Sequence, residues 1–186
     1  MQDDINLSLD TLNRGGIILY PTDTVWGIGC DATNEDAIEN IYKVKKRDET
    51  RSMLILVDSI DMLSLYVRDI PGNIRNLIEH SAKPTSIIYP EARNLPANLI
   101  AKDGSIGIRI VKDEFCQRLI GLLKRPLVST SANISGERTP DFFGEISDEV
   151  RSKMDYIVHW RREDRRVTPA SSVVKFDAAG TLVVLR

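Results

Sequence analysis

The segment Tyr20–Cys30, YPTDTVWGIGC, places two threonines and an aspartate between stretches that predict buried strands. Hydroxyl and carboxylate groups in such surroundings need hydrogen-bond partners or a ligand, because burying them unpaired is costly. Gly27 and Gly29 would let a ligand or another stretch of backbone approach closely. A polar turn with glycine bulges would look the same. This segment alone is therefore compatible both with the wall of a binding site and with a polar turn.

A second segment, Lys43–Arg51, has five basic residues among nine in a chain of net charge −2. A lysine point charge beside the forked guanidinium of Arg47 suits a polyphosphate. Lys45 and Arg47 are two positions apart, so both reach one anion only if the helix that carries them ends near Arg47. The alternative is charge compensation at a helix C-terminus, which needs no ligand.

The third segment is Pro126–Gly136, in which an apolar stretch leads into five hydroxyl or amide side chains within seven residues. Such a loop offers several hydrogen bonds to a phosphate or a ribose. A helix-capping turn would account for one or two of them, but not for the density. The sequence holds no Gly-x-x-x-x-Gly-Lys-Ser/Thr loop and no kinase loop set, so a nucleotide site here would be of another kind.

The elements that must position these segments alternate between helix and strand patterns. Some strands are joined by tight turns, which predicts a mixed sheet with helices packed on it, in the α/β or the α+β class. Thr33 with Asp36 resembles a capping box for the helix before Lys45. A helix is expected over 141–152, and a terminal hairpin over 172–176 and 182–185, with its turn at 177–180. The length favours one domain over 1–186.

Composition narrows the class of protein. Hydrophobic residues make up 42% and charged residues 28% of the 186 positions, which argues against disorder. The 25 basic and 27 acidic residues argue against a protein that coats nucleic acid. Cys30 and Cys116 are expected to be reduced and buried. His80 and His159 fit no ligand pattern, so no protein-held metal is expected. The acidic N-terminus and the short apolar runs favour a cytoplasmic protein with no membrane contact.

Five segments in order resemble the YrdC-type threonylcarbamoyl-AMP synthases. They are YPTDTVWGIGCDA from Tyr20, Lys-x-Arg at 45–47, GIRI at 107–110, STSAN at 129–133 and SSVVKF at 171–176. The resemblance extends over nearly the whole chain, and the long first motif with the ordered Lys-x-Arg and Ser-x-Asn pairs makes it specific.

The resemblance implies a twisted mixed β-sheet with flanking helices around a basic cavity. It implies that L-threonine, bicarbonate and ATP are joined to threonylcarbamoyl-AMP with release of pyrophosphate, with Mg²⁺ accompanying ATP. A downstream transferase complex would then modify tRNA, and a weak or transient tRNA contact is possible. The substrate carbamate is the nucleophile, so catalysis needs positioning and charge rather than a catalytic dyad.

The resemblance also assigns site residues. Lys45 and Arg47 would hold the ATP phosphates and support catalysis, while Ser131 and Asn133 would bind the nucleotide. The threonine pocket would include Thr24, Arg109 and Ser129, with Arg109 facing the carboxylate of the substrate. Tyr20 and Thr22 are weaker assignments to the cavity wall.

The sequence departs from the family pattern at Asp48, at Arg51-Ser52, near Lys83 and over Arg161–Arg166. Arg51 and the arginines of 161–166 are predicted to form a mobile, solvent-screened rim. Two other readings stay open. One is an RNA-binding module without catalysis that uses the basic residues of 43–51 and 161–166. The other is a paralogue with the same fold that acts on another carbamate, as hydrogenase-maturation enzymes do.

Overall fold

The computed structural model describes residues 1–47, 53–169, 171–176 and 181–185. Asp48, Arg51-Ser52 and the turn at 177–180 lie outside these residues. The helices are α1 (Gln2–Asn13), α2 (Glu35–Lys45), α3 (Ile60–Ser64), α4 (Gly72–His80), α5 (Glu114–Leu123) and α6 (Asp148–Arg151), with a 3₁₀ turn at Phe143–Glu145. The strands are β1 (Ile18–Tyr20), β2 (Gly27–Gly29), β3 (Leu54–Val57), β4 (Thr85–Tyr89), β5 (Ile106–Ile110), β6 (Leu127–Ser131), β7 (Tyr156–Ile157), β8 (Ser172–Phe176) and β9 (Leu182–Val184).

The described strands form one sheet in the order β7-β1-β2-β6-β3-β5-β4-β8-β9. Three neighbouring pairs are parallel, β1 with β7, β3 with β5, and β4 with β8. The other five pairs are antiparallel. The predicted mixed sheet with flanking helices is therefore confirmed.

The core lies between this sheet and the helices α1, α2 and α5. On α5, Phe115, Leu119 and Ile120 recur at helical spacing and are fully buried, as the amphipathic pattern requires. Every residue of β1 is buried, because the strand has protein on both of its faces. Cys30 and Cys116 are free and buried as predicted, and burial raises the pKa of both thiols. In the part of the chain described, no helix has both the length and the apolar character that a bilayer crossing requires.

Two local predictions are wrong. The expected helix over 141–152 is only the 3₁₀ turn and α6, because the Ser147 side chain accepts the Val150 N–H and starts a new helix there. The cap of α2 is Asn34, which accepts the Ala37 N–H at 3.0 Å, one residue after the predicted Thr33. The Thr33 hydroxyl donates to Asp31 instead. The terminal strands β8 and β9 pair antiparallel as predicted.

Candidate active site

One face of the sheet opens on a cavity of about 500 Å³. Because side chains alternate along a strand, every second residue of β4 and β5 reaches the cavity, and the residues between them line the opposite face. The residues of β4 and β5 on the cavity wall are Ser86, Ile88, Gly107 and Arg109. The volume falls in the range of small-molecule and cofactor sites.

Five of the seven residues predicted for the site lie on this wall. They are Thr24, Arg47, Arg109, Ser129 and Ser131. Lys45 and Asn133 are buried directly behind Ser131, to which both are hydrogen bonded. Thr22 is also on the wall, while Tyr20 is fully buried behind it. The structure thus brings together segments that are more than eighty residues apart in the chain.

The site has two ends, and the first, called the Lys45 end, consists of Lys45, Arg47, Ser131 and Asn133. Helix α2 ends at Lys45, and Lys46 follows in the left-handed conformation with a φ of 48°. The Lys45 ammonium donates to the carbonyl oxygen of Ser131 at 2.5 Å and to Oδ1 of Asn133 at 3.2 Å. Ser131 Oγ donates to the same Oδ1, at 2.5 Å. The loop after β6 is therefore fastened to the end of α2.

Burial dominates the electrostatics of Lys45. Desolvation and, to a smaller extent, the positive charge of Arg47 lower the pKa of Lys45 to about 8. The side chain is only 2% exposed and is among the largest fully buried ones. Lys45 is therefore part of the packed interior as well as of the site. Two of its three N–H donors are used by the loop, and the ATP-binding role assigned to it stays a prediction.

The remaining basic residues of this run divide between the cavity and the surface. Arg47 is half-buried, lines the cavity and donates its backbone N–H to the Tyr42 carbonyl at 3.1 Å. Lys43 and Lys46 are exposed and form ion pairs with glutamates on the surface. The basic run is therefore not one continuous patch.

The second end, called the Arg109 end, consists of Thr22–Thr24, Arg109 and Ser129. Arg109 is 3% exposed, and one of its terminal nitrogens lies 3.0 Å from Oδ1 of Asp23. Burial raises the pKa of Asp23, and the Arg109 guanidinium opposes that rise. The Nε–H of Arg109 is buried and has no hydrogen-bond partner among the described residues. A buried, unsatisfied guanidinium N–H on a cavity wall favours an anionic ligand.

The threonine-rich loop of this end is held by its own hydrogen bonds. Thr22 Oγ1 donates to the Val25 carbonyl at 2.8 Å and accepts the Thr24 N–H at 3.0 Å. The Thr24 hydroxyl lies 3.1 Å from that of Thr22. The loop therefore has a defined shape before any ligand binds.

The two glycines of this region have different roles. A Cβ on Gly29 would lie 2.5 Å from the Val128 carbonyl oxygen and 2.7 Å from the Tyr20 ring, so another stretch of backbone occupies that space. Gly27 lies on the cavity wall, where a Cβ would approach Ser129 Oγ to 3.3 Å. At Gly29 the predicted close approach is therefore that of another stretch of backbone, whereas Gly27 faces the cavity.

The sequence did not reveal several contacts of the site. The ion pair between Asp23 and Arg109 joins two separate motifs, and no local sequence pattern predicts it. The predicted mobile rim is wrong for Arg161 and Arg162, which are half-buried and bonded to backbone carbonyls. Arg165 and Arg166 are exposed, and Arg51 lies outside the described residues.

The side chains available as ligands limit how a metal ion could be bound in this cavity. Within the described ranges, no group of three or more His, Cys, Asp or Glu side chains could hold an ion. One carboxylate on the cavity wall, Asp141, is paired with Arg138. A Mg²⁺ carried by ATP phosphates fits such a site, since this ion keeps waters and needs few protein ligands.

The chain is similar to known proteins over most of its length. The family model Sua5_yciO_yrdC, described as "Telomere recombination", matches residues 10–186. The threonylcarbamoyl-AMP synthase of Pseudoalteromonas translucida is 34% identical over 161 residues, which are 84% of this chain and 86% of that protein.

Solved structures show the same fold. The crystal structure of Pyrococcus abyssi Sua5 complexed with L-threonine superposes with a TM-score of 0.88 at 24% identity, covering 98% of this chain and 53% of that one. The chain therefore spans about half the length of that protein. HypF of T. kodakarensis matches 98% of this chain and 24% of its own, with a TM-score of 0.82 at 20% identity.

Proposed function

Because the chain belongs to the Sua5/YciO/YrdC family, we propose that it joins L-threonine, bicarbonate and ATP into threonylcarbamoyl-AMP. The observation that carries the proposal is one cavity with two different ends. The Lys45 end presents hydroxyl and amide groups beside two cations, and the Arg109 end presents a buried cation paired with a carboxylate. The first suits a triphosphate and the second an amino acid.

In the proposed reaction the amine of threonine and bicarbonate form a carbamate with loss of water. A carbamate oxygen then attacks the α-phosphate of ATP, and pyrophosphate leaves. Since the nucleophile belongs to the substrate, the protein contributes position and charge. Arg47 on the cavity wall would receive phosphate oxygens, and Ser131 would supply a hydroxyl from the same end.

At the Arg109 end, the unsatisfied Nε–H of Arg109 would take a carboxylate oxygen of threonine. Ser129 and Thr24 stand on the same wall and supply further hydroxyl groups. Lys45 would reach the triphosphate with its third N–H, or by exchanging the Ser131 carbonyl for a phosphate oxygen. Either way it holds the loop that carries Ser131 and Asn133.

The family uses ATP as a substrate, and Mg²⁺ would enter with its phosphates. We propose that 1–186 form a single domain, supported by one sheet that continues from β1 near the N-terminus to β9. The product would serve a tRNA-modifying transferase complex in the cytoplasm. Direct tRNA contact, if any, would be weak, because the exposed Lys43 and Lys46 are already paired with glutamates.

The experiment that tests the proposal is pyrophosphate release without tRNA. Release is expected only when ATP, a divalent cation, bicarbonate and L-threonine are all present. Omission of each component in turn is the control. Release that ignores threonine, or no release under any condition, contradicts the synthase.

An amino-acid panel separates the proposed reaction from that of a paralogue that acts on another carbamate. Threonine should be preferred over serine, valine and alanine, and carbamoyl phosphate should not replace threonine with bicarbonate. Turnover with carbamoyl phosphate alone would favour the paralogue. Steeply salt-dependent RNA binding without ATP turnover would favour an RNA-binding module instead.

A further inference from the structure

The segment from Arg161 to Arg166 departs from the family pattern, and its Arg161 reaches back to the threonine-rich loop. One terminal nitrogen of Arg161 donates to the Thr22 carbonyl at 3.2 Å and to Oδ2 of Asp113 at 2.8 Å. Its Nε donates to Asp164 at 3.3 Å. Only 24% of the side chain is exposed. A single guanidinium therefore connects three parts of the chain.

The backbone on the N-terminal side of Arg161 is firmly anchored. Asp4 is 5% exposed and accepts the backbone N–H groups of His159 and Trp160, at 2.7 and 3.2 Å. The Trp160 ring stacks on Phe115, with 6.0 Å between ring centroids. Arg161 itself has a φ of 67°, in the left-handed region that residues with a side chain rarely adopt. Strain of this kind persists where surrounding contacts hold it, often at functional sites.

The contacts of Arg161 act on the loop from Pro21 to Thr24. Asp113 accepts the Cys116 N–H at 3.1 Å and so caps helix α5, and the Cys116 thiol donates to the Pro21 carbonyl at 3.4 Å. Two consecutive carbonyls of the loop, those of Pro21 and Thr22, are thus held from α5 and from Arg161. The next two residues supply the Asp23 carboxylate and the Thr24 side chain of the Arg109 end.

We propose that Arg161 is a positioning residue for the amino-acid substrate: it holds the loop Pro21–Thr24 so that Asp23 keeps Arg109 in place and Thr24 lines the pocket. The inference rests on the proposed function for the identity of the substrate. The effect is specific to one end of the cavity, because the Lys45 end is fastened by separate contacts between α2 and the loop after β6.

The kinetic test compares Arg161→Gln and Arg161→Lys with wild type. Arg161→Gln removes charge-assisted hydrogen bonds, so the KM for threonine should rise about tenfold while the KM for ATP changes less than about twofold. Lysine restores the positive charge but not the forked set of donors of a guanidinium. Arg161→Lys should therefore reverse only part of the rise in the KM for threonine. Arg165→Gln is the matched control, since Arg165 is exposed, lies 4.5 Å over the Phe142 ring and, among the described residues, makes no hydrogen bond or ion pair with the loop Pro21–Thr24. It should leave both constants unchanged.

A second measurement does not depend on turnover. Hydrogen–deuterium exchange of peptides covering 20–26, without substrates, should be faster in Arg161→Gln and unchanged in Arg165→Gln. Unchanged exchange in Arg161→Gln overturns the inference, whatever the kinetics. So does faster exchange with an unaltered KM for threonine, or an equal rise of both KM values with a lower Tm. If the wild-type protein shows no threonine-dependent turnover, the proposed function fails, and exchange alone decides whether Arg161 holds the loop.

Discussion

The two ends of the cavity hold their cations in different ways. At the Lys45 end, the ammonium is bonded to a carbonyl and an amide oxygen, and no carboxylate forms an ion pair with it in the described part of the chain. At the Arg109 end, the guanidinium lies 3.0 Å from a carboxylate, that of Asp23. The Lys45 ammonium is thus bonded to neutral oxygens, whereas the Arg109 guanidinium is paired with a carboxylate.

This difference matches the chemistry of two kinds of substrate. A triphosphate carries several negative charges and is attracted to a cation whose protein partners are neutral. An amino acid carries a carboxylate, which the unsatisfied Nε–H of Arg109 can bind while Asp23 holds the guanidinium. Burying charges in a pair also limits the desolvation cost while the pocket is empty. The predictions below test whether the two ends are as independent as this comparison implies.

The largest effects are expected from Lys45→Met and Arg47→Ala. If both side chains bind the triphosphate, each change should remove roughly 2–4 kcal/mol of transition-state stabilisation, because charge-assisted hydrogen bonds in a partly dry cavity are strong. That is about thirty- to a thousandfold in kcat/KM, measured by pyrophosphate release. Methionine at 45 keeps most of the buried volume. The double variant should lose much less than the product of the singles, since both act on one ligand.

Lys43→Ala and Lys46→Ala are the controls for this comparison. Both side chains are exposed and paired with surface glutamates, and solvent screens such pairs so that they contribute little to stability. They should change neither kcat/KM nor Tm noticeably. Four variants with similar losses would reduce the run to a charged helix end and remove the assignment of Lys45 and Arg47.

Arg109→Lys should affect the other end. The lysine keeps a charge beside Asp23 but lacks the fork, so the KM for threonine should rise about ten- to a hundredfold, given roughly 1.5–3 kcal/mol for a hydrogen bond to a charged group. The Kd for ATP, measured by calorimetry without threonine, should stay close to wild type. If ATP and threonine binding weaken equally, the two ends are not separate.

The pH dependence should also distinguish the ends. The pKa of Lys45 is about 8 without ligand, so its positive charge is lost as pH rises above that value. ATP affinity should then fall by up to about tenfold per pH unit, by proton linkage. Threonine binding should not share this inflection, because Lys45 is not part of the Arg109 end. Lys45→Arg should abolish the inflection in ATP affinity, and an unchanged inflection in that variant assigns it to another group.

The free energy of unfolding should rise with pH over the same range in which the affinity for ATP falls. Folding lowers the pKa of Lys45, so above pH 8 and below the ordinary lysine value the unfolded chain binds the proton that the folded chain has lost. The free energy of unfolding contributed by this group should therefore rise with pH there. Denaturant unfolding of wild type and Lys45→Met at several pH values measures it.

The smallest effects are expected from Ser131→Ala and Asn133→Ala. Ser131→Ala removes a neutral hydrogen bond to Asn133, worth roughly 0.5–1.5 kcal/mol, or about two- to tenfold in the Kd for ATP. Asn133→Ala also removes the bond from the Lys45 ammonium, so its effect should be the larger of the two. Asn133 also donates to the Glu137 carbonyl at 2.8 Å, so its removal should lower the Tm, whereas Ser131→Ala should not. Ser135→Ala in the same loop is the control. Normal ATP binding by both variants once folded would make the loop a structural element only.

The sequence determined the parts of this protein that depend on local patterns. Helical spacing located α5, apolar runs located most strands, and tight turns indicated the mixed sheet. The condition that α2 must end near Arg47 for Lys45 and Arg47 to share a site is met, since the helix ends at Lys45. The three polar segments marked the cavity wall. The N-cap of α2 was predicted one residue too early, at Thr33. Thr33 and Asn34 both carry a side-chain oxygen, and only the backbone geometry selects between them.

Tertiary structure alone decided how the polar groups are paired. The Lys45 ammonium bonds to a carbonyl 86 residues away, and Arg161 to one 139 residues away. Such contacts depend on strand register and on how helices pack on the sheet, and no i,i+3 or i,i+4 rule reaches across that distance. Burial in the folded protein also sets the pKa, the pairing and the exposure of these side chains, which composition does not predict. It lowers the pKa of Lys45, leaves Arg109 with Asp23 as its counter-ion, and half-buries Arg161, an arginine of a charged stretch, against the loop Pro21–Thr24.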